Sequence, residues 1–151
     1  MSADDQACDE LLRQTAEKFG LPFSPGAIGL EFEVGQVVAS ALRHPNRPEQ
    51  LIVQVAVVTL DDNADPRLFR VMLELNEMAR FTHEWMITVD VDGEVSISRS
   101  LSIATATALE LEDMLGEAIS RAEDLLDALQ QAPSRSGEQS AQPMPGSGLR
   151  G

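Results

Sequence analysis

The chain has little of the residues on which several kinds of protein chemistry depend. Among its 151 residues there are no tyrosines, one tryptophan, one cysteine and two histidines, and 11 lysines and arginines stand against 25 aspartates and glutamates. The resulting net charge of −14 repels phosphate groups, and the few aromatic residues provide no base-stacking surface. These scarcities disfavour nucleic acid and anionic membrane surfaces as partners.

Two further absences bear on the cellular compartment. No apolar run approaches the roughly 18 residues that a membrane span needs, and the acidic residues 1–10 do not resemble a secretory signal peptide. The single cysteine, Cys8, cannot form an internal disulfide, which suits a reducing cytosol. Because 43% of the residues are apolar, a packed core is still possible. We therefore expect an acidic cytoplasmic domain without membrane insertion.

The spacing of apolar residues predicts three helices. The first spans about residues 4–19, and the second spans residues 66–80 after an N-cap at Asp65. The third begins near Thr107, which has the spacing of a capping box, and ends near Gln131. Its apolar residues alternate between steps of four and three: Leu111, Leu115, Ala118, Ala122, Leu125 and Leu129.

Alternation of apolar and polar residues predicts five strands. Residues 28–34 form the first strand, with one apolar and one acidic face, and residues 36–43 form the second. Residues 51–60 are almost wholly apolar and β-branched, which is typical of a central strand covered on both faces. Two further runs flank Asp92-Gly93, a pair that favours a two-residue type I′ hairpin. The order α-β-β-β-α-β-β-α predicts an α+β fold, with helices packed on a twisted antiparallel sheet.

The periodic pattern ends before the chain does. We expect one domain over residues 1–131. Residues 132–151 are rich in proline, glycine and serine, and this composition favours a disordered tail.

Catalytic constellations are missing from the sequence. His44 and His83 are far apart and have no cysteine or glutamate at metal-ligand spacing, so we expect turn or surface histidines. Cys8 lies on the apolar stripe of the first helix and is expected to be a core residue. Glu31 and Glu33 point the same way from one strand, but no apolar pocket is predicted that would separate their pKa values. We predict no catalytic residue, no metal site and no cofactor.

Taken in order, these features resemble the class I chaperones of bacterial type III secretion, the CesT-like family. The resemblance covers about residues 11–129 and includes the apolar third strand, the hairpin and the long acidic last helix. Its motifs are, in chain order, Leu11-Leu12, Phe19-Gly20-Leu21-Pro22, Leu68-x-x-x-Met72-Leu73-x-Leu75-Asn76 and Leu101-x-Ile103. The sequence departs from the family at residues 102–107, where the usual leucine- and aspartate-bearing entry to the last helix is absent.

This resemblance implies a cytoplasmic bacterial chaperone without enzymatic activity. Such a protein binds the N-terminal segment of a type III secreted effector in extended form, through strand addition to a free sheet edge and through apolar patches. Binding keeps the effector soluble and competent for export. The resemblance also implies a homodimer, and the secretion ATPase is a further candidate partner.

Two surfaces are expected to make these contacts. The second helix carries apolar residues away from its main stripe, which predicts homodimerisation through this helix, with an interface of Phe69, Leu73, Asn76 and Arg80. The alternative is that Phe69 and Leu73 only border a wide core stripe. The effector-binding candidates lie on the first strand and the first helix: Ile28, Leu30, Phe32, Val34, Leu12 and Phe19. The alternative for each of them is packing inside the protomer.

Three other functions fit parts of the sequence. An anti-activator with the same fold would bind another cytosolic protein instead of an exported one. A small-ligand-binding domain or enzyme would use Glu31 and Glu33 in a concave site. A coiled-coil adaptor would form around the last helix, but it would leave the hairpin signals unexplained.

Overall fold

A computed structural model describes the backbone of residues 2–82 and 85–141 and the side chains of residues 2–78 and 85–131. Three helices and five strands follow one another in the predicted order, which confirms the predicted α+β fold. They are α1 (Ala3–Phe19), β1 (Gly29–Val34), β2 (Val37–Arg43), β3 (Gln50–Thr59), α2 (Pro66–Thr82), β4 (Met86–Val89), β5 (Glu94–Ser102) and α3 (Ala108–Ala141). None of the described helices is long and apolar enough to cross a membrane.

The five strands form one antiparallel sheet in the order β1-β2-β3-β5-β4, so that β1 and β4 are its edges. The helices pack on one face of this sheet. Helix α3 lies against β3 and β2, α1 packs beside α3, and α2 packs against β4. The opposite face, which we call the open face, has no helix on it among the described residues.

Strand β3 shows the difference between the two faces. Its odd-numbered residues from Leu51 to Val57 are buried under the helices, whereas the alternate residues from Ile52 to Val58 are only half-buried on the open face. The prediction that β3 is covered on both faces is therefore wrong for the single chain. Strand β3 carries apolar residues on both faces. On the open face its residues are paired with serines of the flanking strands: Ser40, Ser96, Ser98 and Ser100.

Local side-chain contacts explain where the helices begin and end. Helix α1 begins with a capping box between Ser2 and Asp5, which was not predicted, and ends at Gly20 in the left-handed conformation. Helix α3 begins with the predicted capping box, in which the Glu110 N–H donates to Thr107 Oγ1 at 3.1 Å. The stepped apolar residues of α3 are all buried against the chain's own sheet, so α3 does not offer them to a coiled-coil partner.

Helix α3 continues to Ala141, ten residues beyond its predicted end at Gln131. The apolar repeat stops at Leu129, and the polar residues that follow carry no periodic signal. The domain boundary at residue 131 and the disordered tail remain predictions. Residues 142–151 lie outside the described residues.

The hairpin between β4 and β5 has a three-residue loop, so the predicted two-residue turn is wrong. The Asp90 N–H donates to the Glu94 carbonyl at 3.1 Å, and Gly93 adopts φ +84°. The Asp90 carboxylate accepts the N–H groups of Asp92 and Glu94, both at 2.9 Å. These bonds stabilise a tight turn followed by a left-handed glycine, a common form of three-residue loop.

Two glycines are expected to respond to alanine in opposite ways. A Cβ at Gly29 would lie 2.0 Å from the Ala41 carbonyl oxygen in β2, whereas a Cβ at Gly116, on the exposed side of α3, meets nothing within 4 Å. We expect Gly29→Ala to lower the free energy of unfolding by about 1–3 kcal/mol. We expect Gly116→Ala to raise it by about 0.5–1 kcal/mol. Urea denaturation of both variants tests this, and equal effects would contradict the close approach at Gly29.

Candidate partner-binding surfaces

Where the structure describes them, the cysteine and histidine considered for catalysis lie in the core and in a loop. Cys8 is buried, as expected, and burial raises the pKa of its thiol. His44 Nδ1 accepts the Asn46 N–H at 3.1 Å within a loop, and His83 lies outside the described residues. Among the residues that the structure describes, no group of three or more histidine, cysteine, aspartate and glutamate side chains could hold a metal ion.

Strand β1 leaves one side of its backbone unpaired. The Arg43 N–H donates to the Ile28 carbonyl at 2.9 Å, so these two residues form a hydrogen-bonded pair. Such pairs alternate along an antiparallel ladder, and the backbone groups of Leu30, Phe32 and Val34 therefore face β2. Those of Gly29, Glu31 and Glu33 point away from the sheet, where no described residue bonds them. We call these three residues the β1 edge.

The apolar face of β1 packs inside the protomer. Leu30 is buried under the helices together with Leu12 of α1, and Phe32 stacks on Phe19 with 5.0 Å between ring centroids. Leu12 and Leu30 have no surface to offer a partner, so their assignment to effector binding is wrong for the folded protomer. Phe19, Phe32 and Val34 are half-buried and keep some exposed surface beside the β1 edge.

A cluster around Arg43 fixes the segment that leads into β1. The Arg43 guanidinium pairs with Asp9 and Asp5 of α1, and its Nε–H donates to the Ala27 carbonyl at 2.7 Å. Ile28 follows directly and is 74% exposed. It borders a surface cavity of about 560 Å³, whose lining consists of Asp5, Ile28, Arg43, His44, Pro45, Asn46 and Pro48. Ile28 is thus the effector-binding candidate with the most free apolar surface.

A second exposed apolar surface lies on α2. Phe69 and Leu73, one helical turn apart, are 41% and 69% exposed, although both are large apolar residues. We call this pair the α2 flank. The side chain of Arg80, also expected here, lies outside the described residues. On the neighbouring strand β4, Met86 and Val89 are exposed as well. Neither was predicted as partner surface, because alternation does not show which face of a strand is covered.

Asn76, the fourth residue expected in the dimer interface, is engaged within the protomer. Its Nδ2 donates to the Ile87 carbonyl at 2.8 Å, and its Oδ1 accepts the Ile87 N–H at 2.6 Å. Its amide therefore bonds both backbone groups of one residue of β4. This double contact ties the α2 flank to the edge strand.

Trp85 joins the start of β4 to α3. The indole is buried, and its Nε1–H donates to Glu117 Oε2 at 3.0 Å. The Arg99 guanidinium lies over the indole at 5.9 Å from the ring centroid, and Arg121 also donates to Glu117 at 3.0 Å. The hydrogen bond from Trp85, assisted by Arg121, holds the pKa of Glu117 below its ordinary value of 4.5.

This lowered pKa predicts a contribution of Glu117 to acid sensitivity. A group whose pKa is lower in the folded than in the unfolded state stabilises the fold above its unfolded pKa, and this stabilisation disappears as the pH falls through the folded pKa. The free energy of unfolding should therefore fall less for Glu117→Gln than for the wild type between about pH 5 and pH 3. We expect a difference of only about 0.5–1 kcal/mol, because the carboxylate is partly exposed. Urea unfolding followed by the fluorescence of Trp85 measures the difference.

The matched control is Glu123→Gln, an exposed position on the same helix. It should follow the wild-type pH dependence. If Glu117→Gln also follows it, the bond between Trp85 and Glu117 does not contribute to acid sensitivity.

Comparison with known proteins gives a family match. The model of the Tir chaperone protein (CesT) family matches residues 10–126 of the chain. No curated protein sequence matches the chain significantly.

Solved structures share the fold over most of the chain. A chain in the crystal structure of the ExsC–ExsE complex is 22% identical, with a TM-score of 0.71 over 85% of this chain and 97% of that one. A chain of the HopA1–SchA chaperone–effector complex is 10% identical, with a TM-score of 0.66 over 84% of this chain and 98% of that one. A third similar structure is that of the Yersinia pestis type III secretion chaperone SycH with a stable fragment of YscM2. It is 17% identical, with a TM-score of 0.57 over 78% of this chain and 98% of that one.

Proposed function

Since the chain belongs to the Tir chaperone protein (CesT) family, we propose that it is a type III secretion chaperone that binds the N-terminal segment of a secreted effector. The segment is held in extended form, remains soluble and stays competent for export. The chain acts as a cytoplasmic homodimer and has no enzymatic activity.

The β1 edge is the observation that carries this proposal. Its outward N–H and C=O groups can pair with any extended backbone, whatever the side chains, and such pairing provides affinity without fixing the partner's sequence. Beside this edge, Ile28 and the exposed parts of Phe19 and Phe32 provide apolar surface for the partner's side chains. Solved structures with this fold include the HopA1–SchA chaperone–effector complex, which supports the same class of partner here.

The charge of the chain supports a basic or neutral partner segment. Besides the net charge of −14, exposed acids line the outer side of α3: Glu110, Asp113, Glu123, Asp124 and Asp127. Glu31 and Glu33 are exposed at the β1 edge and form no ion pair with a described residue. Such a surface attracts cationic segments, repels anionic ones and keeps the chaperone soluble.

Homodimerisation is proposed through the α2 flank. Two exposed large apolar residues one turn apart form a patch that a soluble protein normally covers. A twofold axis beside α2 would bury Phe69 and Leu73 of both copies at once. Recruitment of the secretion ATPase is a further part of the proposal, and it has no separate contact surface assigned to it.

Co-expression with candidate secreted proteins, followed by limited proteolysis of the purified complex, tests the function. We expect an N-terminal stretch of the secreted protein to resist cleavage while its remaining domains are cleaved as they are in the free protein. Capture of a transcription regulator in place of any secreted protein would favour the anti-activator alternative. An N-terminus that is cleaved as fast in the complex as alone would contradict the proposal.

A further inference from the structure

The sheet has two edge strands, and they differ in whether a described side chain bonds their outward backbone groups. Both β1 and β4 are edge strands, and an edge strand offers unpaired backbone groups to any strand that approaches. A chaperone that presents one edge to its partner must keep the other from pairing with a second segment or a second copy.

The register of β4 identifies which of its backbone groups point outward. The Asp90 N–H donates to the Glu94 carbonyl, so this pair is hydrogen-bonded, and the alternation along the ladder makes Thr88 and Met86 face β5. The N–H and C=O of Ile87 and Val89 therefore point away from the sheet. An incoming strand would have to bond these two residues.

Asn76 already occupies the outward groups of Ile87. Its carboxamide accepts the N–H at 2.6 Å and donates to the carbonyl at 2.8 Å, which reproduces the pair of bonds that a neighbouring strand would make. Strand β4 has only four residues, so with Ile87 occupied, Val89 is the one residue within it whose outward groups no described residue bonds. One residue cannot hold a strand in register, because extended pairing depends on repeated bonds.

We propose that Asn76 is an edge cap that closes β4 to strand pairing. Of the two edges of the sheet, β1 is then the one that an extended segment can join, and each protomer receives one segment. The cap itself does not depend on the proposed function, whereas its consequence for the bound segment rests on it. Asn76 acts by positioning and exclusion and does not itself contact the bound segment.

Amide hydrogen exchange of the full-length wild-type protein, measured by NMR without any partner, tests the cap directly. Ile87 should exchange at least ten times more slowly than Glu31 and Glu33, although all three amides point outward from an edge strand. If Ile87 exchanges as fast as those two amides, the cap does not exist. This comparison needs no variant and so does not depend on one folding.

The variant Asn76→Ala extends the test, with Arg70→Ala as the matched control at an exposed position of the same helix. In Asn76→Ala, the Ile87 amide should exchange at least tenfold faster, while the Thr88 amide, which is bonded to β5, keeps its rate. Sedimentation velocity should then show concentration-dependent species larger than the wild-type particle, because the freed β4 edges pair. Arg70→Ala should match the wild type in both measurements.

The remaining outcomes separate the two proposals. If Asn76→Ala leaves the Ile87 rate unchanged, or accelerates it without any new association, Asn76 is not what closes the edge. If a co-purified secreted segment slows exchange at β4 in the wild type, the segment uses the edge that we infer to be closed, and the inference is overturned while partner binding survives. If no secreted segment binds at all, the proposed function fails and the exchange of Ile87 in the free protein still decides the cap.

Discussion

A double variant, Phe69→Asp with Leu73→Asp, is expected to have a solution mass of 16.4 kDa, half that of the proposed wild-type dimer. Both side chains are exposed in the single chain, so aspartate is tolerated by the protomer. In a twofold interface the two substitutions place four carboxylates in a region without solvent. Burying an unpaired charge costs several kcal/mol, enough to dissociate a dimer of ordinary affinity.

Light scattering at matched concentrations measures this change. The control is Val91→Asp, at the tip of the β4–β5 hairpin, where the side chain is fully exposed. It adds a charge in place of an exposed apolar residue outside the α2 flank and should remain a dimer. A wild-type protein that is monomeric, or a double variant that remains dimeric, would show that α2 does not form the interface.

The second large effect is expected at the β1 edge. Glu31→Pro removes the central outward N–H, and its ring projects toward an incoming strand. The β1–β2 ladder does not use this N–H, and proline is tolerated in an edge strand where the missing N–H faces solvent. The protein should therefore fold, whereas its affinity for the effector segment should fall at least about tenfold, since a lost backbone bond and a steric clash together exceed 1.4 kcal/mol.

Glu31→Ala is the matched control, because it removes the same carboxylate and keeps the N–H. It should bind the segment within a few-fold of the wild type, with the small loss coming from charge alone. Titration of the purified variants with the protease-protected segment measures both affinities. If both substitutions weaken binding equally, the side chain matters and the backbone does not, and strand addition at β1 is excluded.

The order of elements was predictable because each element carries a strong local signal. The period of α3, the N-cap at Asp65 and the break at Gly20 all depend on residues within a few positions of one another, and the structure confirms them. The three-residue hairpin loop was missed because Asp90, two residues before Asp92-Gly93, bonds two later N–H groups and lengthens the turn.

The candidate surfaces were harder to predict, because alternation identifies two faces of a strand without saying which one is covered. Leu30 was therefore expected at a partner surface and lies in the core, whereas the half-exposed open face of β3 was expected to be covered. The role of Asn76 depends on a strand eleven residues later in the chain, and no local pattern links the two. Leu73 was identified correctly as apolar surface on α2, because it falls outside the main stripe of its own helix.

Hydrogen exchange at the β1 edge, compared between the free protein and its complex with the protease-protected segment, tests most directly whether an extended polypeptide adds to this sheet. The outward amides of Gly29, Glu31 and Glu33 should exchange rapidly in the free protein and at least tenfold more slowly in the complex. The inward amides of Leu30 and Phe32 should be slow in both. Outward amides that exchange equally fast in both states, while the segment remains bound, would contradict the account.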